Sequence, residues 1–578
     1  MSFHHAPIPT APQGDAALVN AIQEALQCPK WVCELLIQRG INTVSQAQEF
    51  LLPAPDAIHD PWLLKGMSDA VDMLLRFRSS GKDICVFGDY DLDGISGAGL
   101  LVLALQRAGG WKVNYRLPSR FGDGYGLSMG QVQEIAAQGM RGLVTVDTGI
   151  TATAEIAEAK RLGLEVVVVD HHRPPDDGMP CADAILDPWQ DGCTYPHRDL
   201  SAVGVAWKLV CALYQRIDLG GADDFMDLVT LGTLSDMMPM NPENRQMLRV
   251  ALSRMHQSVF PGVKVLCEDV VDANGYLGSQ DILFRIAPLM NAPGRLSRPD
   301  QALEILLSST EKEARKLLEK LREANDKRRV IEQEVTAQAM AQAQERVKTS
   351  RALVVDSVGW HLGVLGIVAS KLTQAFGRPA AVVSIGPDGL GSGSVRGVPG
   401  FNWHMALSDA REHFVRWGGH QNAAGFSVKQ GELEAARASF EQSALQQNYE
   451  PGVAEPQVES HAEVRLVEMN HASMDWLRKL EPFGRGNLMP IFVARGVQLP
   501  SGVRDVRGGH LQFEVVQSEG VKYAAVAFGF ASAKPWLLEN AAGIDIAFVP
   551  SWNSFRGRRV LQLQIKFMSA GTIPIFDP

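Results

Sequence analysis

Three aspartates at alternate positions are the clearest chemical feature of this sequence. The stretch 84–97 (ICVFGDYDLDGISG) runs from apolar residues into Asp89, Asp91 and Asp93. Its pattern predicts a buried strand, a tight turn and a helix. Carboxylates this close repel one another, and a divalent cation is the natural counter-charge. A solvated acidic turn is the alternative. An EF-hand calcium loop would need Glu at its twelfth position, which is Leu100.

More acidic and imidazole side chains follow later strands. The apolar runs GLVTV and EVVVV end directly before Asp147 and before Asp170-His171-His172. Alternating strands and helices from residue 84 onward predict an α/β fold with a parallel, doubly wound sheet. Ligands bind such sheets at the carboxyl ends of the strands. Asp147 alone could be a helix N-cap, but polar residues after three strands together indicate a ligand site.

A further aspartate, Asp236, lies between an apolar helix predicted over 223–234 and a Met-Met-Pro turn. Carboxylates and imidazoles on hard cations suggest manganese or magnesium. The seven cysteines are scattered and form no CxxC pair, which argues against a zinc site or a disulfide framework and suits a reducing cytoplasm.

Composition sets broader limits. A chain of 578 residues suggests about four domains. No apolar run approaches the roughly 18 residues of a membrane helix, and the N-terminus does not have the pattern of a signal peptide. The net charge of -10 does not indicate a nucleic-acid binder, so any such surface must be a local patch.

Changes in pattern predict five segments. Residues 311–347 contain no Gly or Pro and predict a long helix, which could be a solvated helix, a rigid connector between two lobes, or both. Five short strand-like runs near the C-terminus predict a small barrel. The segments are an N-terminal helical segment 1–80, a catalytic α/β domain 81–305, a connecting helix 306–350, a second α/β domain 351–450 and a barrel 451–578.

The motifs GDYDLDG, VTVDTG, VDHH and SDMMP, in this order, resemble those of the DHH phosphoesterases. The stretches PSRFGDGYGL, NAPGRL, GSGSVRG, GGHQNAAGFS and EPFGRGN extend the resemblance from about residue 30 to the C-terminus, and they are most similar to the bacterial 5′ to 3′ exonucleases of single-stranded DNA. The resemblance implies a DHH-associated second domain and a C-terminal OB-fold. One departure is Leu488, where the family usually has proline, and it puts the shape of that loop in doubt.

The resemblance also implies residue roles. His172 would face the scissile phosphate, and it is implied to be catalytic together with Asp91, Asp93 and Asp147. Asp170 would orient His171 from behind, as metal-bound imidazoles usually require. The implied reaction is two-metal hydrolysis of a phosphodiester. The implied ligands of two Mn²⁺ or Mg²⁺ ions are Asp91, Asp93, Asp147, His171 and Asp236, with Asp89 as a ligand or a close neighbour of one.

The expected substrate contacts fall in two groups. Residues of glycine-rich or turn segments would hold the phosphates of the terminal nucleotide across a cleft. A lone arginine is usually a surface residue, which is the alternative for the arginines among them. These residues, called the grip residues below, are Arg120, Tyr125, Asn291, Arg295, Ser394, Arg396 and His420. In the barrel, Trp552, Phe555 and Arg556 of WNSFRGRR would stack on bases beside the DNA backbone. An ordinary hairpin with a basic turn is the alternative for that segment.

The expected function is a metal-dependent exonuclease that degrades single-stranded DNA to 5′-mononucleotides in repair and recombination. A DHH phosphoesterase for short oligoribonucleotides or cyclic dinucleotides is the alternative, but those relatives generally lack the last 120 or so residues. A non-enzymatic DNA-binding scaffold would have lost ligands, and none is lost here. The family implies partnership with a single-strand-binding protein and a helicase. The scattered cysteines predict a cytoplasmic location, and the lack of a long apolar run predicts no membrane contact.

Overall fold

The structure is a computed structural model that positions three sheets in chain order, joined by helices. It describes residues 8, 14–52, 54–118, 126–176, 178–272, 275–296, 298–451, 460–506, 508–555 and 558–571. Within these ranges, no helix has the length and apolar character needed to cross a bilayer.

The N-terminal helices belong to two different cores. The first three pack against the C-terminal strands, where the rings of Trp31 and Phe492 meet edge to face at 5.1 Å. The fourth packs in the core of the first sheet. The predicted segment 1–80 is therefore helical but does not form a single unit. These helices are α1 Ala16–Leu26, α2 Lys30–Gln38, α3 Val44–Leu51 and α4 Met67–Ser80.

The first sheet is parallel throughout, as the sequence predicted. Its strands are β1 Asp83–Gly88, β2 Lys112–Arg116, β3 Gly142–Val146, β4 Glu165–Val169 and β5 Ala184–Leu186. They lie in the order β2-β1-β3-β4-β5. Strand β5 has only three residues and was not among the predicted strands. The helices around this sheet are α5 Leu92–Ala108, α6 Met129–Ala137, α7 Thr153–Arg161 and α8 Ala202–Arg216.

Helices continue from the sheet to the second module. They are α9 Met226–Ser235, α10 Pro242–Leu252, α11 Pro261–Glu268, α12 Ser279–Asp281, α13 Ala287–Arg295, α14 Asp300–Leu306 and α15 Glu311–Arg346, with a π-helical turn over Ile282–Ile286. The 36 residues of α15 span about 54 Å. Leu318 and Leu321 pack in the first core and Val335 and Ala339 in the second, so α15 is the predicted connector.

The second module is a mixed sheet in the order β6-β7-β8-β10-β9, in which only β6 and β7 are parallel. Its elements are β6 Leu353–Val358, α16 Leu365–Phe376, β7 Ala380–Ile385, β8 Leu390–Arg396, α17 Trp403–Asp409, β9 Phe414–Gly419, β10 Ala423–Lys429 and α18 Leu433–Gln446.

The C-terminal strands close into the predicted barrel. Five of them follow one another around the ring as β12, β14, β15, β17 and β16. The ring closes where the N–H groups of Gln498 and Val516 each donate to the other's carbonyl, at 2.8 and 3.0 Å. The parallel pairing of β15 with β17 within an otherwise antiparallel ring suits an OB-fold. The elements are β11 Ala462–Glu463, α19 His471–Leu480, β12 Phe492–Val497, β13 Arg504–Val506, β14 His510–Val516, β15 Lys522–Ala527, α20 Lys534–Glu539, β16 Ile544–Phe555 and β17 Arg558–Ala570.

A buried ion pair fixes the helices beside the first sheet. The Lys208 ammonium of α8 lies 2.6 Å from the Glu243 carboxylate of α10, and neither side chain is exposed. Tyr195 and His197 also contact that carboxylate, at 2.7 and 3.0 Å. Burial alone would raise the pKa of Glu243, but these partners lower it to about 2. His59, His197 and Glu243 lie close enough together to hold a metal, yet Lys208 already supplies the positive charge a metal would bring.

Glu243→Ala should lower the free energy of unfolding by about 3–5 kcal/mol, because the Lys208 ammonium would remain buried without its counter-charge. Urea unfolding followed by circular dichroism measures the change. The double variant Glu243→Leu/Lys208→Met removes both charges and should recover most of the loss. Asp83→Ala breaks an exposed 3.8 Å ion pair with Lys112 and should cost less than about 1 kcal/mol. Equal losses for Glu243→Ala and Asp83→Ala would show that the buried pair has no special role.

Candidate metal centre and substrate cleft

The first aspartates lie in a turn that only glycine permits. Asp91 caps α5, and its Oδ1 accepts the N–H groups of Asp93 and Gly94 at 3.0 and 3.2 Å. A Cβ on Gly94 would lie 2.4 Å from the backbone nitrogen of Asp89. The close return of α5 onto β1 therefore requires glycine and gathers Asp89, Asp91 and Asp93 at the carboxyl edge of the sheet.

Asp147 directly follows β3 in an unusual backbone conformation. Its φ of 63° lies in the left-handed region, which L-residues other than Asn, Asp and Gly rarely adopt. The side chain is 2% exposed. A strained, buried aspartate at the ligand-binding edge of a parallel sheet is better explained by a ligand than by N-capping. Asp147 is also not the N-cap of α7, which begins after Ala152.

His171 lies among three of these carboxylates. Its Nε2 is 3.3 Å from Asp147 Oδ1, 3.6 Å from Asp236 Oδ2 and 3.8 Å from Asp93 Oδ2. Asp236 is the C-cap of α9, so it reaches the site from outside the sheet. These spacings suit atoms that share a cation. The fold thus brings together His171 and Asp236, two predicted ligands that lie 65 positions apart in the sequence.

The candidate ligands form two sets of three. In each set, ligand atoms lie within 4.8 Å of one another: Asp93, His171 and Asp236 in one, and Asp89, Asp91 and Asp147 in the other. Asp147 also lies close to His171 and so connects the two sets. The arrangement has enough donors for two cations that share one carboxylate.

Unsatisfied polar atoms test whether this donor set fits a metal. Among the residues that the structure describes, both carboxylate oxygens of Asp89 and Nε2 of His171 are buried without a hydrogen-bond partner. Leaving such atoms unpaired costs roughly 1–3 kcal/mol each, and more when they are charged. Oxygen and imidazole donors aimed into one space suit Mn²⁺ or Mg²⁺, so the residues fit the ions.

The carboxylates destabilise one another without a cation. Burial and repulsion from Asp91 raise the pKa of Asp89 to about 8 and that of Asp93 to about 7. Burial and the charge of Asp93 raise the pKa of Asp236 to about 7. Burial and the charge of Asp91 hold the pKa of Asp147 well above its usual range. Burial lowers the pKa of His171, which keeps a neutral imidazole available as a ligand.

Asp170 orients His172, which corrects the expectation that it orients the ring of His171. Asp170 Oδ1 lies 2.8 Å from His172 Nδ1, and its contact with His171 is to the backbone N–H, also at 2.8 Å. The ring next to Asp170 is that of His172 because Asp147 and Asp236 already surround His171. Burial would lower the pKa of His172, but Asp170 and the other carboxylates raise it to about 9. His172 is the more exposed ring, at 38%.

Two predicted grip residues lie beside the metal site. Asn291 Nδ2 donates to Ser235 Oγ at 3.4 Å, next to Asp236. Arg295, at the end of α13, donates to the carbonyl of Gly363 in the second module at 3.2 Å. Both residues lie on α13, which packs closely against the turn of residues 89–93, called the metal turn below. A Cβ on Gly294 would lie 3.2 Å from the Tyr90 carbonyl oxygen in that turn. Arg295 therefore lies between the metal turn and the second module.

Three more predicted residues lie at one end of the second sheet, where β8 and β9 end and β10 begins. Arg396 donates to Ser394 Oγ at 3.4 Å, and a Cβ on Gly366 would lie 2.8 Å from an Arg396 guanidinium nitrogen. Ala423 pairs with Arg396 across the sheet and accepts the backbone N–H of His420 at 2.8 Å. Arg295 and Arg396 thus contact opposite ends of the segment 363–366, and exposed His420 lies nearby.

The remaining predicted contacts are only partly described. Arg120, Tyr125 and Arg556 lie outside the described residues, as does the side chain of Phe555. Trp552 is half-buried on β16, and its ring lies 4.7 Å from that of His471. Of the three predicted barrel contacts, Trp552 is therefore the one whose side chain the structure describes.

One acidic residue of the site was missed in the sequence. Asp187 follows β5, is fully buried, and accepts the N–H of Trp189 at 2.7 Å. Burial and the nearby charge of Asp170 raise its pKa to about 8. The segment ADAILDP contains the signal, a short apolar run followed by Asp, but three residues are too few for pattern recognition.

Comparisons with known proteins agree with this architecture. Family models match residues 83–233 (DHH family, N-terminal domain), 336–445 (DHHA1 domain) and 460–567 (RecJ OB domain). A single-stranded-DNA-specific exonuclease RecJ of Bacillus subtilis is 31% identical over 581 residues, covering 97% of this chain and 71% of the relative. Crystal structures of Thermus thermophilus RecJ with Mn²⁺ and Mg²⁺ match 97% of the chain at TM-scores of 0.79 and 0.72, 28% and 26% identity, and 79% and 78% coverage of those chains.

The fold and the site define a phosphoesterase of the DHH class. The defining features are the parallel sheet with acidic residues at its strand ends and the second module that follows it along the chain. The near full-length identity and the C-terminal barrel narrow this class further. The chain belongs to the RecJ family.

Gly232→Ala should weaken Mn²⁺ binding by about tenfold to a hundredfold, as loss of a residue that supports a ligand does. The added methyl group would lie 2.4 Å from Asp93 Oδ1, which accepts the N–H of Val203 at 3.1 Å. Titration calorimetry measures the affinity. Gly130→Ala, in α6 with open space around it, is the control and should leave affinity unchanged. Unchanged binding by Gly232→Ala would exclude Asp93 from the ligand set.

Mn²⁺ affinity should rise with pH between about 6 and 8 and then level off, because Asp89, Asp93 and Asp236 must lose protons to bind. Their raised pKa values mean that the folded, metal-free chain binds more protons than the unfolded chain. Its stability should therefore fall as pH rises from about 4 to about 8. Calorimetry and thermal melting across this range measure both effects. Affinity that does not change with pH would contradict the proton competition.

Proposed function

We propose that this chain is a metal-dependent exonuclease that degrades single-stranded DNA from its 5′ end to 5′-mononucleotides, in DNA repair and recombination. The observation that carries the proposal is the buried donor set around His171, whose unpartnered atoms lie across from Arg295 and the second module. The named activity of the relatives supports the substrate.

Six side chains would hold two Mn²⁺ or Mg²⁺ ions: Asp89, Asp91, Asp93, Asp147, His171 and Asp236. Ions held there would supply Lewis-acid polarisation of the phosphate and a water molecule of lowered pKa as the nucleophile. The chain's own contribution is to hold these carboxylates in place despite their repulsion. Ala202 and Val203, at the N-terminus of α8, donate to Asp93 at 2.8 and 3.1 Å for this purpose.

His172 would bind the scissile phosphate rather than a metal. Its ring is more exposed than that of His171, and Asp170 holds its Nδ1 side. The Asp170 carboxylate favours a positive charge on the ring, so His172 would donate a charge-assisted hydrogen bond to a phosphoryl oxygen. Asp170 would fix the direction of that donor, which makes it a positioning residue.

The terminal nucleotide would be held between the two α/β modules. Arg295 and Arg396 contact the segment 363–366 from its two ends, which gives two guanidinium groups on one side of the metal turn. Ser394, His420 and Asn291 would complete this grip, with Arg120 and Tyr125. A cleft of this kind would admit a single strand and exclude a duplex.

The barrel favours long strands over dinucleotide substrates. OB-folds bind single strands by stacking and backbone contacts. A phosphoesterase for short oligoribonucleotides or cyclic dinucleotides would not need such a module. Trp552 would stack on a base, with Phe555 and Arg556 of the same hairpin. We also propose a cytoplasmic location, supported by seven cysteines that are all unpaired, and partnership with a single-strand-binding protein and a helicase by family resemblance.

With Mn²⁺, the purified chain should release mononucleotides from 3′-labelled or 5′-labelled single strands, starting at the 5′ end, and leave blunt duplex intact. Asp147→Ala and Asp236→Ala should lose nearly all cleavage because each removes a ligand. His172→Ala should lose activity but bind Mn²⁺ nearly normally. Gel analysis of product lengths measures cleavage, and titration calorimetry measures Mn²⁺ binding. Equal rates on single strands and duplex would contradict the cleft, and a dinucleotide preference would favour the alternative.

Removing grip residues and removing barrel residues should differ in their dependence on strand length. Arg295→Ala or Arg396→Ala should lower kcat/KM by about tenfold to a hundredfold at every length, because each loses a charge-assisted phosphate contact worth roughly 1.5–3 kcal/mol. The double variant Trp552→Ala/Arg556→Ala should weaken binding of long strands and so lower kcat/KM only for them. The measurement is kcat/KM against length. A barrel variant with equal losses at all lengths would refute this division of roles.

A further inference from the structure

Two arginines stack on one tryptophan beside the candidate metal centre. The guanidinium carbons of Arg173 and Arg198 lie 4.6 and 5.2 Å from the ring centroid of Trp189. Arg173 directly follows His172 after β4, and Trp189 lies two residues past Asp187, which follows β5. We call Arg173, Trp189 and Arg198 the arginine stack. None of the three belongs to the site residues predicted from the sequence.

Both arginines are exposed, and within the ranges that the structure describes neither has an acidic partner. Among the described residues, no carboxylate lies within 4.0 Å of either guanidinium, although ion pairs are common elsewhere in those ranges. A chain with a net charge of -10 does not lack acidic groups to pair them with. An arginine that stacks on an aromatic ring loses little rotamer freedom on binding and keeps its N–H donors in plane. Such a pair is prepared for an anion with several oxygen atoms.

The position of the stack indicates which anion. Arg295 lies by the turn after β1, whereas the stack lies beyond β4 and β5 in the order β1-β3-β4-β5. Neighbouring strands are about 4.8 Å apart, so β1 and β5 are separated by ~14 Å. The grip residues and the stack therefore lie on opposite sides of His171 and His172. A strand whose 5′ end is held by Arg295 would cross the metal centre and continue over the stack.

Contacts beyond the stack lead toward the barrel. His197, next to Arg198, lies 2.9 Å from the Asn241 amide. Met240, beside Asn241, donates its N–H to the Arg485 carbonyl at 2.8 Å, in the segment that enters the barrel. The Arg485 side chain is also exposed. The residue next to Arg198 is therefore linked, through residues 240–241, to the segment that enters the barrel.

We propose that Arg173 and Arg198, held by Trp189, form a clamp for the phosphodiester backbone of single-stranded DNA on the 3′ side of the scissile bond. The proposal rests on the proposed exonuclease function. The clamp would contact phosphates that a dinucleotide does not have. It would hold the strand between catalytic steps, when the new 5′ end has not yet reached the grip residues.

The test compares binding and cleavage in Arg173→Ala/Arg198→Ala and in the wild type. Binding of a fluorescent single-stranded 12-mer is measured by anisotropy in chelator at several salt concentrations, so it does not depend on catalysis. The double variant should bind about tenfold to a hundredfold more weakly. Its slope of log K against log salt should be less negative by about 1.4, the value for two lost phosphate contacts on a single strand. Cleavage of a 5′-phosphorylated dinucleotide should stay within about twofold of wild type.

Matched variants separate the clamp from general charge and from folding. Arg141→Ala removes an exposed arginine directly before β3, at the amino-terminal end of the strands and away from the stack, and should leave the slope unchanged. Arg173→Lys/Arg198→Lys keeps both charges, so it should restore the slope while binding more weakly than wild type. Trp189→Ala should weaken 12-mer binding, and Trp189→Phe should retain most of it. Mn²⁺ affinity and melting temperature should not change in any of these variants.

An unchanged salt slope in Arg173→Ala/Arg198→Ala would overturn the clamp, and so would an equal loss on the dinucleotide, which would place the arginines at the scissile phosphate. These outcomes differ from failure of the proposed function. If the wild type cleaves single strands but the double variant binds them normally, only the clamp is wrong. If the wild type cleaves no single strand, the exonuclease assignment itself is wrong.

Discussion

Repulsion among buried carboxylates is the constraint on which this structure depends. Asp89, Asp93 and Asp147 lie at one sheet edge with almost no exposed surface, and their raised pKa values show how unfavourable their charged forms are there. The N-terminus of α8 offsets part of this cost through backbone donors to Asp93. The unpartnered oxygens of Asp89 show that the protein alone does not offset the rest. The site is therefore assembled for a cation, and the surrounding fold must resist the tendency of the acids to separate.

That resistance extends to the barrel. Asp236 comes from the end of α9, and the residues after it are held from two sides. Asn244 of α10 donates to the Pro239 carbonyl at 2.9 Å, and Met240 donates to the Arg485 carbonyl at 2.8 Å. The segment containing Arg485 is anchored in turn by Glu481, whose carboxylate accepts the Ser279 hydroxyl at 2.6 Å. Only residues 237–240 separate the candidate ligand Asp236 from the contact with Arg485, so a movement of the barrel relative to the first sheet would be transmitted to Asp236. The DNA-binding module and the metal centre are thus mechanically connected.

The sequence predicted the parts of this site that local pattern determines. Strands β1, β3 and β4 were predicted within a residue or two because they are continuous apolar runs that end in charged residues, and the ordered motifs indicated which acids share a site. Contacts between distant segments were not predictable. The role of Asp170 toward His172 depends on ring orientation, which spacing does not determine. Asp187 was missed because β5 is too short, and the division of the N-terminal helices between two cores depends on tertiary packing that their helical pattern does not reveal.

The same long-range logic explains how an acidic protein can bind DNA. The carboxylates of the metal centre surround the space that cations would fill, and they raise the pKa of His172, which favours its positively charged form. Arg173 and Arg198 are exposed and stack on Trp189 instead of forming ion pairs with described carboxylates. Aromatic stacking thus keeps basic groups available within reach of acidic ones. A surface with separated charges can attract a phosphate backbone close to the metals even though the whole chain repels it, because screening limits the repulsion from distant charges to about 8–10 Å.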